Sequence, residues 1–219
     1  MKMEEWGYVL DYLPTGKPMD RTFEAVAQVV GDRYLTLLEV IIIKGKDVKI
    51  DQKIGIGKDN RSEVEKIKRR MQFSELTNNA RSALPKALEK IVGERENEFV
   101  NFFNRCGPIT LRQHQLELIP GIGKKHMEDL LSEREKEPFK SFEEMKARIA
   151  LLPNPAHMIV DRIMIELEGK DKYYLFVRPP ALAGTEGYGG HGGYGGEHGS
   201  GHGPGGYSGG YGHGFRGRR

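Results

Sequence analysis

The segment Leu116-Glu117-Leu118-Ile119-Pro120-Gly121-Ile122-Gly123-Lys124-Lys125 has the residue types needed to hold an anion. Proline and glycine end one helix near Leu118, and a second helix begins near Gly123 or Lys124. Glycine allows positive φ and carries no Cβ, so the backbone there can approach a ligand closely. The first amides of the second helix have no intrahelical acceptor, and the positive end of the helix dipole lies behind them. Together these features make an anion site. Ile122, the single side chain between the glycines, should turn inward and pin the hairpin to a core. Lys124 and Lys125 add cationic charge beside the amides. The expected donors are the amides of Gly121, Ile122, Gly123 and Lys124, and the expected ligand is a phosphodiester. Such contacts position a protein on a backbone without reading sequence.

The whole chain narrows the alternatives. It has 219 residues and a net charge of +3, with 34 Lys and Arg against 31 Asp and Glu. From Gly184 onward, 18 of 36 residues are Gly, and that stretch holds three Arg and two Glu. The remainder therefore has 34 − 3 = 31 basic against 31 − 2 = 29 acidic residues, so bulk charge does not announce a polyanion partner. The one cysteine, Cys106, excludes an internal disulfide and a Cys-rich metal site and suits a reducing cytosol. The longest apolar run, Val40-Ile41-Ile42-Ile43, is too short to cross a bilayer. A cytoplasmic protein without membrane contact is expected.

Elements that must position the hairpin follow from periodicity. Residues 1–60 read as β structure. Tyr34 to Ile43 is rich in Val, Ile, Leu and Tyr, and Val48/Ile50 and Ile54/Ile56 alternate with polar or Gly positions. Short strands without helices between them point to a small OB-like barrel. Residues 61–107 read as a helical connector: Val64, Ile67 and Met71 recur at helical spacing, and Pro85 separates two helical pieces. Residues 108–180 read as helical, with capping boxes at Thr110–Gln113 and Ser141–Glu144, breaks at Pro120–Gly123 and Pro153–Pro155, and a stop at Gly169. Tyr173–Val177 reads as a short β-like run. Residues 181–219 offer almost no aliphatic side chains to offset chain entropy and read as a disordered Gly/His/Tyr-rich tail. The expected fold class is α+β.

The run Ile119–Gly123 resembles the helix-hairpin-helix signature, aliphatic-Pro-Gly-aliphatic-Gly. That resemblance implies hairpin amides bound to DNA or, less often, RNA phosphates, with a monovalent cation sometimes on the hairpin carbonyls. Pro138–Met145 resembles the link that follows such hairpins in tandem proteins. A second hairpin would fall at Leu151–Ala156, lacking both glycines and therefore a poor phosphate ligand. Across residues 6–180 the chain is also similar to an archaeal family of unknown function, numbered 655, whose members are described as predicted RNA- or nucleotide-binding proteins. The residues that carry this are Tyr8–Leu13, Gly57–Arg61, Leu76–Ala80 and the hairpin. The resemblance implies a β-barrel followed by tandem hairpins and no established reaction.

Other features have a bland reading beside the functional one. Lys44, Lys46, Lys49, Lys53, Lys58 and Arg61 could track a nucleic-acid backbone on a barrel face or simply solvate it; Lys58 and Arg61 are the candidate contacts. Tyr188, Tyr194, Tyr207, Tyr211 and Phe215 could stack on unpaired bases, with Arg216, Arg218 and Arg219 on phosphates, or form an unselected tail. His114, His126 and His157 show no metal-ligand spacing, and no cofactor is implied. A base-excision enzyme would use Lys125 as a Schiff-base nucleophile with Glu143 or Glu144 as acid. The helical region is short for a base-flipping pocket, and those enzymes carry Asp where this chain has Glu. No paired-carboxylate metal site is evident. The expectation is thus a non-catalytic protein on an RNA or DNA backbone, RNA slightly favoured, with a protein-interaction adaptor as the alternative.

Overall fold

The structure, a computed structural model, describes residues 4–16 and 24–178, and the Gly-rich tail lies outside them. β1 (Trp6–Leu13), β2 (Val26–Gly31), β3 (Leu37–Ile42), β4 (Lys53–Gly55) and β5 (Val64–Arg70) form one antiparallel sheet in the order β4-β1-β2-β3-β5. β2 and β3 are buried along their whole length because both faces of the sheet are covered. One face closes on itself around Val9, Val29, Leu38, Val40, Ile54 and Ile56. The other, through Tyr8, Leu10, Val30 and Leu37, packs on the helices.

β5 corrects the helical reading of Val64, Ile67 and Met71. Irregularities in the β3–β5 pairing, between Glu39 and Val40 and between Ile41 and Ile42, disturb the alternation. Residues three apart, Val64 and Ile67, therefore both pack on the inner core. A bulged strand can mimic a helical period in this way. The β region thus extends past residue 60 to Arg70.

A polar row crosses the helix-facing side: Asp11 pairs with Gln28, Gln28 with Glu39, and Glu39 with Arg69. Asp11, Gln28 and Glu39 are buried. The row seats the start of α1 (Asn78–Glu94), where Thr77 is the N-cap. Thr77 donates its amide to Gln28 Oε1 at 3.0 Å and its hydroxyl to Asp11 Oδ2 at 2.6 Å. Its own Oγ1 accepts from the Ala80 amide at 3.1 Å.

α1 runs through Pro85, contrary to the expected break. An interior proline costs about 3 kcal/mol, but Leu84, Ala87, Leu88, Ile91 and Val92 are all buried along the same helix. That burial outweighs the lost hydrogen bond. The actual break is at Arg95, whose guanidinium donates to the Asp32 carbonyl at 2.7 Å, and α2 (Glu96–Arg105) follows.

Residues 108–114 are not helical. β6 (Pro108–Thr110) and β7 (Gln113–His114) form a small hairpin, and Thr110 Oγ1 accepts the Arg112 amide within its turn instead of capping a helix. A single 3-10 turn, Gln115–Leu118, leads to α3 (Lys124–Lys136). α4 (Phe142–Arg148) and α5 (Pro155–Leu167) complete the helices. Ser141 caps α4 as expected, accepting from the Glu144 amide at 3.1 Å. Glu144 itself turns back to the Lys140 amide.

Gly169, at φ +69°, follows the end of α5 as expected. Tyr173–Val177 is an irregular strap rather than a strand, because its amides are taken by a side chain. Leu175, Phe176 and Val177 donate to the Glu166 carboxylate at 2.7, 2.9 and 2.8 Å. Arg162, one turn earlier on α5, donates Nε to Glu166 at 2.8 Å and Nη1 to Asp171 at 2.7 Å and to the Leu118 carbonyl at 3.2 Å. It also donates to the Tyr173 carbonyl. Both members of the pair are buried.

Two outcomes follow. Replacing Glu166→Gln removes one of the two carboxylates paired with Arg162, Asp171 remaining at 2.7 Å; losing one charge of a buried pair typically costs about 3–5 kcal/mol, and urea denaturation should show a loss near the lower end of that range. Burial raises the Cys106 thiol to about 11, although Arg134 opposes the shift. Native protein at pH 8 should therefore react with an aromatic disulfide reagent at least tenfold more slowly than urea-unfolded protein.

Candidate functional site

The hairpin between Leu118 and Lys124 is built largely as its residues imply. The 3-10 turn before it is closed by His114, whose Nδ1 accepts the Leu116 amide at 3.1 Å, and by Glu117, which accepts the His114 amide at 2.7 Å. Burial and Arg134 depress the His114 pKa, which favours the neutral ring that this bond requires. Ile119 is buried, and the Ile122 amide donates to its carbonyl at 3.1 Å, so that amide, expected to face a phosphate, is already engaged within the turn. Gly121 sits at φ +86°. Ile122 turns inward to 8% exposure, as expected for the hairpin's anchor.

α3 starts directly after this turn. Gly123 is its N-cap, at φ −87° and ψ 176°, and no side chain caps it. Gly123, Lys124 and Lys125 are exposed, Pro120 is half-buried, and the Gly121 carbonyl faces His126 Nδ1 at 3.2 Å. A Cβ built on Gly123 would meet nothing within 4 Å. The chain itself therefore leaves open space beside the first amides of α3. The opposite end of α3 is tied down by Arg134, which donates to the Phe103 and Cys106 carbonyls at 2.9 and 2.8 Å and so satisfies the end of α2.

The second hairpin lies against the first. A Cβ on Gly121 would lie 3.4 Å from Pro153 Cγ and from Met158 Sδ. The second turn repeats the backbone of the first. Ile149 is buried like Ile119, Leu152 like Ile122, and the Leu152 amide donates to Ile149 as Ile122 does to Ile119. Leu151 occupies the position of Gly121, at φ +59°, and is 91% exposed. At its helix start the two hairpins differ. Asn154 Oδ1 accepts the Ala156 amide at 3.0 Å, and Pro155 has no amide to offer. Those donors are satisfied or absent, whereas those of α3 are open.

Lys58 and Arg61 are not brought to the hairpin's core: their loop joins β4 to β5 and borders the inner sheet core. Lys58 is exposed. Arg61 is engaged internally, donating to the Ile56 carbonyl at 3.0 Å and the Glu65 carbonyl at 3.1 Å. Of the other strand-face lysines, Lys44, Lys46 and Lys49 are exposed, and Lys53 pairs with Glu94 and Asp32 at 2.6 and 3.1 Å. Glu144, a candidate acid, is committed to the Lys140 amide and to Arg148, and these hold its carboxyl below the usual range. Among the described residues no group of three His, Cys, Asp or Glu is placed to hold a metal, and no helix is long and apolar enough to cross a membrane.

The turn at Leu151–Ala156 was expected, but sequence reasoning missed the left-handed Leu151 within it and the Arg162–Glu166 pair. The pair had a signal, since two charges four apart interrupt the apolar face of Pro155–Leu167. The left-handed Leu151 had none, because leucine disfavours positive φ.

The family described as "Protein of unknown function (DUF655)" matches residues 3–178. An uncharacterized protein of Methanocaldococcus jannaschii, MJ0038, is 40% identical over 179 residues, which span 81% of this chain and 81% of the relative. The crystal structure of Af1531 from Archaeoglobus fulgidus is similar with a TM-score of 0.74 and 44% identity, covering 80% of this chain and 100% of that one.

The two hairpin glycines should respond unequally to alanine. Gly121→Ala forces a Cβ onto a left-handed residue and should cost about 1–2 kcal/mol. Gly123→Ala meets neither strain nor a neighbour and should lose only the few tenths that distinguish N-cap residues, roughly 0.5 kcal/mol. Leu151→Gly should raise stability by relieving left-handed strain. Thermal denaturation of the three variants checks the order; equal losses at Gly121 and Gly123 would contradict it.

Proposed function

We propose that this chain, which belongs to the DUF655 family of proteins of unknown function, is a non-catalytic nucleic-acid-binding protein. The first hairpin grips a sugar-phosphate backbone, with RNA favoured over DNA. One observation carries the reading: the α3 start is uncapped, exposed and flanked by Lys124 and Lys125, and the chain leaves empty space where a Gly123 side chain would stand. An unsatisfied helix N-terminus beside two lysines suits a phosphate better than any neutral ligand.

The pair of hairpins is read as a tandem helix-hairpin-helix in which only the first binds phosphate. A bare 3-10 turn replaces its leading helix. Open amides at α3 and satisfied ones at α5 give a physical reason for that division. The sheet is read as OB-like. Its order β4-β1-β2-β3-β5 is that of a five-stranded barrel opened between β4 and β5. In that fold the loop between strands four and five contributes to oligonucleotide binding, which gives Lys58 its role; Arg61 shapes the loop through Ile56 and Glu65. A protein-docking reading draws on a different observation, the almost complete exposure of Leu111 and Leu151.

The test is an anisotropy titration against matched single- and double-stranded RNA and DNA at two salt concentrations. Binding should be micromolar or tighter at low salt and should weaken steeply with salt through counterion release. Gly123→Asp gives the specific control. Aspartate is a better N-cap than glycine, so the helix should be slightly stabilised, while its carboxylate occupies the phosphate site and should weaken binding at least tenfold. Absence of binding to all four polymers at low salt would retire the proposal and assign the hairpins to a protein partner.

A further inference from the structure

A groove of about 620 Å³ opens between the turn joining β2 to β3, the end of β5 with the 3-10 turn after it, the C-terminus of α5 and the strap. Its volume falls within the roughly 300–1,000 Å³ of small-ligand sites. Tyr34, Leu37, Met71, Phe73, Leu167 and Val177 supply an apolar and aromatic lining. The rim at Tyr34 is rigid. Glu4, itself buried, accepts the amides of Arg33, Tyr34 and Thr36, each at 3.0 Å. Those bonds hold Leu35 in a left-handed conformation, φ +56°.

The charges in the groove do not cancel. Glu75 is paired with Arg69 at 2.5 Å, Glu168 with Lys170 at 2.5 Å, and Glu166 with Arg162 and three amides. Arg70 and Arg178 also line the groove, are exposed, and have no carboxylate within ion-pair distance among the described residues. The Arg178 guanidinium lies 4.8 Å from the centre of the Tyr34 ring. An apolar ligand would use the rings and waste the two arginines; a simple anion would do the reverse. A flat aromatic group joined to a phosphate uses both, since bases stack on tyrosine, phenylalanine and guanidinium planes, and arginine holds phosphate with paired donors.

We propose that this groove binds one unpaired nucleotide unit, its base stacked among Tyr34, Phe73 and the Arg178 guanidinium and its phosphate held by Arg70 and Arg178. The site uses no hairpin residue, so it stands or falls separately from the phosphate grip at α3. If the unit belongs to a strand, the protein distinguishes unpaired from paired nucleic acid, because a base within a duplex cannot enter the groove.

Calorimetric titration of the full chain with AMP, adenosine and inorganic phosphate tests it. AMP should bind at least tenfold more tightly than adenosine or phosphate alone. The exposed pair Arg70→Ala/Arg178→Ala should keep the native melting temperature within a few degrees and weaken AMP binding at least tenfold. Phe73→Leu, which keeps the apolar filling, should weaken AMP and leave phosphate unchanged. Gly123→Asp should bind AMP as the native chain does even where its polymer affinity is lost. A single-stranded pentanucleotide that displaces AMP identifies a strand as the source, and one that does not identifies a free nucleotide. AMP no tighter than phosphate, or AMP affinity unchanged in the double arginine variant, overturns the proposal.

Discussion

The buried ion pair of Arg162 and Glu166 is the constraint on which the helical half of the molecule depends. Two charges removed from water are costly unless every donor and acceptor is met. Here they are met by parts of the chain far apart in sequence: the Leu118 carbonyl before the first hairpin, Asp171 and Tyr173 after α5, and the amides of the strap. The pair therefore ties the entry of the first hairpin to the helix that follows the second. It also turns what would be a strand into a strap, because the strap's amides serve a carboxylate rather than a neighbouring strand. Phe176 is held in turn against Phe99 and Phe102, at centroid distances of 5.5 and 4.9 Å.

The sheet obeys a different constraint. Both of its faces are covered, so β2 and β3 read as nearly unbroken apolar runs, and the few polar residues within them need partners. The row Asp11–Gln28–Glu39–Arg69 answers that need in part, since Gln28 Oε1 and Asp11 Oδ2 are engaged while Gln28 Nε2 has no hydrogen-bond partner among the described residues. Its acceptors take the amide and hydroxyl of Thr77, which fixes where α1 begins. Once α1 is seated there, its apolar face covers Tyr8 and Leu10, and the proline within it is tolerated.

The two hairpins show how one backbone geometry serves two purposes. Ile119/Ile122 and Ile149/Leu152 anchor equivalent turns, yet one carries glycine at its left-handed residue and the other an exposed leucine. A fold that only needed two turns would not require their helix starts to differ. The α5 start is closed by Asn154 and Pro155, and the α3 start is left to Gly123 and two lysines. Open helix-start amides are thus confined to one side of the pair, and the other side contributes packing against Gly121.

Local chemistry was legible in the residues alone: the left-handed glycine at 121, the inward turn of Ile122, the start of α3, the caps at Ser141 and the stop at Gly169. Each of these is set by φ preferences, lone side-chain caps or the burial of one aliphatic group within a few residues. What the residues could not decide was wherever tertiary contacts outweighed local preference. Bulges in the β3–β5 pairing gave Val64 and Ile67 a helical spacing inside a strand. Burial carried α1 through Pro85, and the 108–114 backbone pairs with itself as β6 and β7 instead of forming a helix. The strap gave its amides to Glu166, and the turn between buried Ile149 and Leu152 took Leu151 into the left-handed region. Arg61, whose type and place suited a phosphate, was drawn to two carbonyls of its own loop. For β5, α1 and the strap the deciding partner lay in another element of the chain, in the geometry of a bulge, a packed face or a buried carboxylate, and propensity over a short window does not contain that information.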